Sequence, residues 1–212
     1  MTTSRDWLGW HEAYADPASL LSRRLAVVQE RIGEVLDAAA PGPIRLVSMC
    51  AGEGRDLLGV LDGHPRRADV RGRLVELDPQ LADRARRRAA AIGTDVEVVT
   101  GDAARLAAYA DAVPADLVLL CGVFGNIVDA DVARVVAAAP QLTAAGGTVI
   151  WTRHRSEPDL VPTILGWFAA AGFEPVWLSD KSNGYGVGVH RYTGVPAALR
   201  PDETLFRFVG SG

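Results

Sequence analysis

Apolar residues recur from Leu21 through Leu25, Val28, Ile32 and Val35, at steps of four, three, four and three, which draws one stripe along a helix. Asp16-Pro17 predicts its start, the carboxylate capping free N–H groups and the proline sitting at the first helical position. Pro41-Gly42-Pro43 stops the helix after about Ala39. Beyond that point the pattern changes. Short apolar runs at 44–49, 72–77, 96–99, 116–120, 147–151, 173–178 and 184–192 read as strands. Helical stretches lie between them at 55–61, 79–91, 129–139 and from Pro158 or Asp159 to Ala171-Gly172. Asp78-Pro79 repeats the cap-and-proline start, and Asp129 is the expected cap of the third of these helices. Leu117 to Leu120 carries no polar residue on either face, as in a strand covered on both sides. Phe206 to Val209 reads as a further edge segment.

Strand–helix alternation predicts an α/β fold: an open, mostly parallel sheet of seven strands with helices on both faces. The turn at 179–184 makes the last two runs an antiparallel hairpin on the sheet edge, so the last strand is expected antiparallel. Residues 1–40 then form an N-terminal helical segment and 41–212 the sheet domain. In such sheets ligands bind at the C-terminal ends of the strands.

Composition narrows the chemistry. The two cysteines, Cys50 and Cys121, exclude a disulfide scaffold and any Cys-based metal centre, and no metal site is expected. Acids outnumber bases 26 to 22, which argues against nucleic-acid binding through bulk charge and against a basic membrane-surface protein. Arg84, Arg86, Arg87 and Arg88 are expected to form the solvated face of their helix. No stretch reaches the roughly 18 apolar residues of a membrane span, and the first residues lack a signal-peptide core, so a cytoplasmic protein is expected.

The strongest local signal is Cys50-Ala51-Gly52-Glu53-Gly54, directly after the first strand and before a helix. Glycines there let the backbone turn tightly and approach a ligand closely. Glu76 closes the second strand, where a carboxylate can accept both hydroxyls of a ribose. Asp102 follows the third strand on the same rim. The nicotinamide fingerprint is not met, because Leu57 stands where its third glycine belongs and no Tyr-x-x-x-Lys pair follows.

With these residues the chain resembles the class I S-adenosylmethionine-dependent methyltransferases, over about residues 44–192. The resemblance implies their Rossmann-like seven-strand order and S-adenosyl-L-methionine as cofactor. It assigns the turn from Cys50 to Gly54 to the methionine part of the cofactor. Glu76 and Leu77, in Glu76-Leu77-Asp78-Pro79, fall to the ribose, and Asp102 with Ala103 to the adenine. Cys121, Gly122 and Val123 fall to the rim of the fourth strand. The chain departs from the family at Ser48, where an acid is usual, and at Cys50, where the first glycine is usual. The Asn/Asp-Pro-Pro-Tyr signature of amino-group methyltransferases is absent.

The expected acceptor is a small molecule, with RNA or protein methylation, or a catalytically silent cofactor-binding module, as alternatives. Monomer and dimer both stay open. Methyl transfer needs alignment and, for a protonated nucleophile, a base. His154, with Arg153 beside it after the fifth strand, is the expected base. Phe124, Trp151 and Trp10 are expected to wall the acceptor, with Tyr14 in a lid over the cofactor. Arg23 and Arg24 are expected to be surface charges, with the methionine carboxylate as the alternative partner of one of them.

Overall fold

The computed structural model describes residues 16–209. Helix α1 (Leu20–Ala38) buries Val28, Ile32 and Leu36. It starts later than Asp16-Pro17 predicts. The Ser19 side chain accepts from the Ser22 N–H and caps the helix, while Asp16 closes a turn by accepting from the Ala18 N–H. Strand β1 (Ile44–Met49) follows, then α2 (Leu57–Leu61), β2 (Val70–Glu76), α3 (Pro79–Ile92), β3 (Asp95–Thr100) and β4 (Ala115–Leu120). The second half holds α4 (Asp129–Leu142), β5 (Thr143–His154), α5 (Val161–Ala170), β6 (Phe173–Leu178) and β7 (Tyr185–Tyr192). Asp78 caps α3 as its sequence predicts, accepting from the Gln80 and Leu81 N–H groups. Asp129 does not cap α4. Val128 occupies that place, and Asp129 turns to Arg153.

The seven strands run in the order β3-β2-β1-β4-β5-β7-β6, parallel from β3 to β5. Strand β7 is antiparallel to both β5 and β6, so it lies inside the sheet and β6 forms the edge. Residues 206–209 make no strand. Ile127 and Phe208 pair in one isolated bridge, and Leu205 and Phe206 are buried in the core.

Two apolar layers sandwich the sheet. One joins α1, α2 and α3 to Leu46, Leu74, Leu117 and Val187, and the other joins α4 and α5 to Val47, Val118, Val149 and Trp151. Trp151 is wholly buried, stacked near Phe168 and against β7. Gly188 makes this possible, since a Cβ there would lie 2.3 Å from the indole. The indole N–H donates to Nδ1 of His190 at 3.1 Å, and His190 Nε2 is buried without a partner. No helix among the described residues is long and apolar enough to cross a membrane.

Burial lowers the His190 pKa from 6.5 to about 4, so the ring is neutral in the fold and charges more readily in the unfolded chain. Its contribution is fully present above pH 6.5 and is lost as the pH falls toward 4. Urea unfolding from pH 7 to pH 4 should therefore show a loss of about 3 kcal/mol from this ring alone. An NMR titration placing His190 near 6.5 would contradict it.

Candidate active site

Parallel strands from β3 to β5 bring their C-terminal ends to one rim, and a cleft of about 310 Å³ opens there. That volume is in the range of small-ligand sites. A larger cavity of about 510 Å³ lies at the opposite end of the sheet, between Ala38, Ile44, Asp116 and Trp177. The rim cleft is the better candidate, because it gathers the glycine turn and the acids at the strand ends.

The glycine turn and Glu76 form one unit. The Gly52 N–H donates to Glu76 Oε2 at 2.7 Å, and the Asp78 N–H to Oε1 at 2.9 Å. Backbone bonds from Ala51 to Val75 and from Gly101 to Glu76 tie the ends of β1, β2 and β3 together. Cys50, Gly52 and Gly54 all have positive φ, at 55°, 56° and 67°. For Cys50 this is the left-handed region, which the sequence fills with a side chain where glycine would be relaxed. A Cβ on Gly54 would stand 2.8 Å from Leu58 Cδ1 and from Leu74 Cδ2, so the turn packs against α2 and β2 only without one.

Burial raises the pKa of Glu76, against the pull of the Asp78 and Gly52 N–H groups. Glu53 lines the cleft too but is tied to arginines. Its two oxygens take Arg55 and Arg84, both at 2.7 Å, which fastens α3 to the turn. The arginine block on α3 is largely engaged: Arg86 donates to the Val98 carbonyl and to Thr100, and Arg87 pairs with Asp83. After β3, Asp102 Oδ1 accepts from the Ala104 N–H at 2.9 Å. The buried Tyr109 hydroxyl donates to the Ala103 carbonyl and fixes that turn.

Cys50, Ala51, Gly52, Glu53, Glu76, Leu77, Asp102, Ala103, Cys121 and Gly122 all line the cleft. Burial pushes both thiols well above their ordinary pKa, with Glu76 and Asp102 adding to the rise at Cys50. They are neutral and poorly nucleophilic. Although β1 and β4 are neighbours, Cys50 packs on one face of the sheet and Cys121 on the other.

Several expected residues lie elsewhere. Val123, Phe124 and Trp151 have no exposed surface, belong to the core and do not line the cleft. The reason is parity: β5 runs three residues past Trp151, which points inward, and its neighbour Thr152 reaches the rim. Thr152 Oγ1 accepts from the Gly122 N–H at 2.9 Å. Arg153 is buried, donating to the Phe124 carbonyl and reaching Asp129 at 3.5 Å. His154 lies outside the cleft lining, with its ring close to Gly125. Its Nδ1 accepts from the Ser156 N–H at 3.3 Å. Burial and the Arg153 charge lower its pKa, so the ring is neutral near pH 7. Trp10 and Tyr14 lie outside the described residues.

Sequence reasoning left out Val28, Asp56, Leu81, Thr152 and Phe208. Asp56 caps α2 with Oδ1 on the Leu57 N–H, and burial raises its pKa. Its position between a glycine turn and an apolar run was the available signal. Arg24 also lines the cleft and makes no ion pair among the described residues. Arg24 and Asp56 line the cleft with Cys121, and their charges act on its thiol with opposite sign.

No protein-family model matches the chain, and no curated protein sequence is significantly similar to it. Solved structures share its fold. An O-methyltransferase family protein from Burkholderia thailandensis superposes with a TM-score of 0.65 at 20% identity, over 82% of this chain and 57% of its own. This chain thus spans little more than half the length of that protein. The magnesium protoporphyrin IX methyltransferase from Synechocystis, solved with bound SAM, gives 0.67 at 11% identity, over 89% and 92% of the two chains. A 1,6-didemethyltoxoflavin-N1-methyltransferase from Burkholderia thailandensis, with 1,6-didemethyltoxoflavin and S-adenosylhomocysteine bound, gives 0.63 at 18%, over 89% and 84%. The chain therefore has the class I S-adenosylmethionine-dependent methyltransferase fold, with its Rossmann-like sheet.

Proposed function

We propose that the chain is an S-adenosylmethionine-dependent methyltransferase with a small-molecule acceptor. The carrying observation is the Glu76 carboxylate, held by the Gly52 and Asp78 N–H groups on the cleft floor. A carboxylate has about four acceptor positions, so these bonds leave roughly two for a pair of ribose hydroxyls. Asp102 spends one oxygen on Ala104, and its second can accept from an adenine amino group. At the methionine end Arg24 suits a carboxylate and Asp56 an ammonium, and both line the cleft with Cys121. These groups are complementary to a nucleoside joined to an amino acid.

S-adenosylmethionine, when bound, supplies an electrophilic methyl group on a sulfonium. The work left to the chain is to hold the two reactants in line and keep water away. Thr152 fixes the Gly122 turn at the rim where an acceptor would enter. The Ser156 N–H engages His154 Nδ1, so the neutral ring carries its proton on Nε2 and offers a donor there. In this arrangement the ring has a donor and no free lone pair, so a base role needs it to turn. The net charge of -4 and the acceptors named for the similar structures support a small molecule over a nucleic acid.

Two measurements test the reading. Calorimetry should find one saturable site for S-adenosylhomocysteine, and its absence would remove the cofactor assignment. Methyl-labelled cofactor, incubated with fractionated metabolites, RNA and protein, should leave label in the metabolites. Label in polymer alone would reverse the acceptor class, and binding without turnover in every fraction would make the chain a silent module.

A further inference from the structure

The described chain ends in a segment that belongs to no helix or strand, yet it is fastened residue by residue to the rim of the cleft. The Leu205 N–H donates to the Ala104 carbonyl at 2.8 Å, just after Asp102 and Ala103. The Arg207 N–H donates to Asp131 Oδ2 at 3.0 Å, and Arg134 reaches the Leu205 carbonyl at 3.0 Å. Phe208 bridges to Ile127, and the Val209 N–H donates to the Asn126 carbonyl at 2.9 Å. The segment thus ties the loop after β3 to the loop after β4.

One side chain of this strap turns into the cleft. Phe206 is buried, and Phe208, edge-on to it at 5.3 Å and 71°, is only partly buried and lines the cleft together with Asp102, Ala103 and Asn126. A partly exposed aromatic ring, held by a buried one and by backbone bonds on each side of it, is a preorganised flat surface. No aromatic residue among the other described residues lines this cleft.

We propose that Phe208 is a binding residue for the purine ring of the cofactor, so that the C-terminal strap supplies the nucleobase wall that β3 and β4 leave open. The proposal rests on the cofactor reading given above. Phe208 and Asp102 line the same cleft, so one purine is asked to meet both. Selectivity for adenine then comes from the acid and affinity from the ring.

The test compares wild type, F208A and F208W by calorimetry with S-adenosylhomocysteine and with methylthioadenosine, which keeps the nucleoside and lacks the amino acid. F208A should weaken both ligands alike, by about tenfold, and F208W should restore most of the loss. F208W should keep the urea midpoint of wild type, while F208A should lower it modestly, because Phe208 packs on Phe206 and on the core. Unchanged affinity in F208A, or a loss that F208W does not restore, overturns the proposal and leaves the cofactor reading standing. Failure of wild type to bind either ligand overturns the cofactor reading and the proposal with it.

Discussion

Gly54→Ala should cost the fold about 2–5 kcal/mol, a large loss for one added methyl group. Two penalties combine at this position. The backbone stands at φ 67°, where a side chain costs about 1–2 kcal/mol. The new Cβ would also press on Leu58 and Leu74 at 2.8 Å, and both of these are fully buried. Relieving such overpacking typically costs about 1–3 kcal/mol. Gly93 is the matched control. It has φ 69° and nothing within 4 Å of its Cβ position, so Gly93→Ala should show the backbone penalty alone. Urea denaturation of the two variants isolates the packing part, and equal losses would mean that the turn moves aside without cost.

Glu76→Ala should weaken S-adenosylhomocysteine binding by about ten- to a hundredfold, since hydrogen bonds to a charged group are worth about 1.5–3 kcal/mol. The substitution also leaves the Gly52 and Asp78 N–H groups without their acceptor, so the glycine turn loses its tie to β2. Glu76→Gln should fall well short of wild type, because an amide has one accepting oxygen for two N–H donors and two hydroxyls. Burial raises the Glu76 pKa, so affinity should decline on acidification above the ordinary carboxylate range. Calorimetric titration at several pH values checks both statements. Unchanged affinity in the alanine variant would place the ribose elsewhere.

The strands, the α3 cap and the acids at the strand ends follow from local patterns, since each depends on a few adjacent residues. Asp78-Pro79 needs nothing beyond its own turn to start α3. Trp151 shows where that logic stops. The apolar run ends there, yet pairing with β7 carries β5 on to His154, and the difference decides which side chain meets the rim. That pairing joins residues far apart in the chain, so no window of sequence contains it. Cys50 shows a second limit, because its positive φ comes from the turn that closes on Glu76 rather than from its own preference. Phe208 shows a third. Its segment has no period, being held by side chains and carbonyls from the loops it crosses.

The insertion of β7 between β5 and β6 sets an order for the emerging polypeptide. Strands β1 to β4 pair only with one another until β5 arrives, so that half of the sheet can assemble on the ribosome once residue 120 is clear. Strand β6 is made before β7 and has no partner until residues 185–192 follow it. Throughout that interval the β5 edge stays open, and Trp151 waits for the strand it will lie against. An open apolar edge on a nascent chain is where wrong pairings start, so slow translation between β5 and β7 would expose this protein to aggregation.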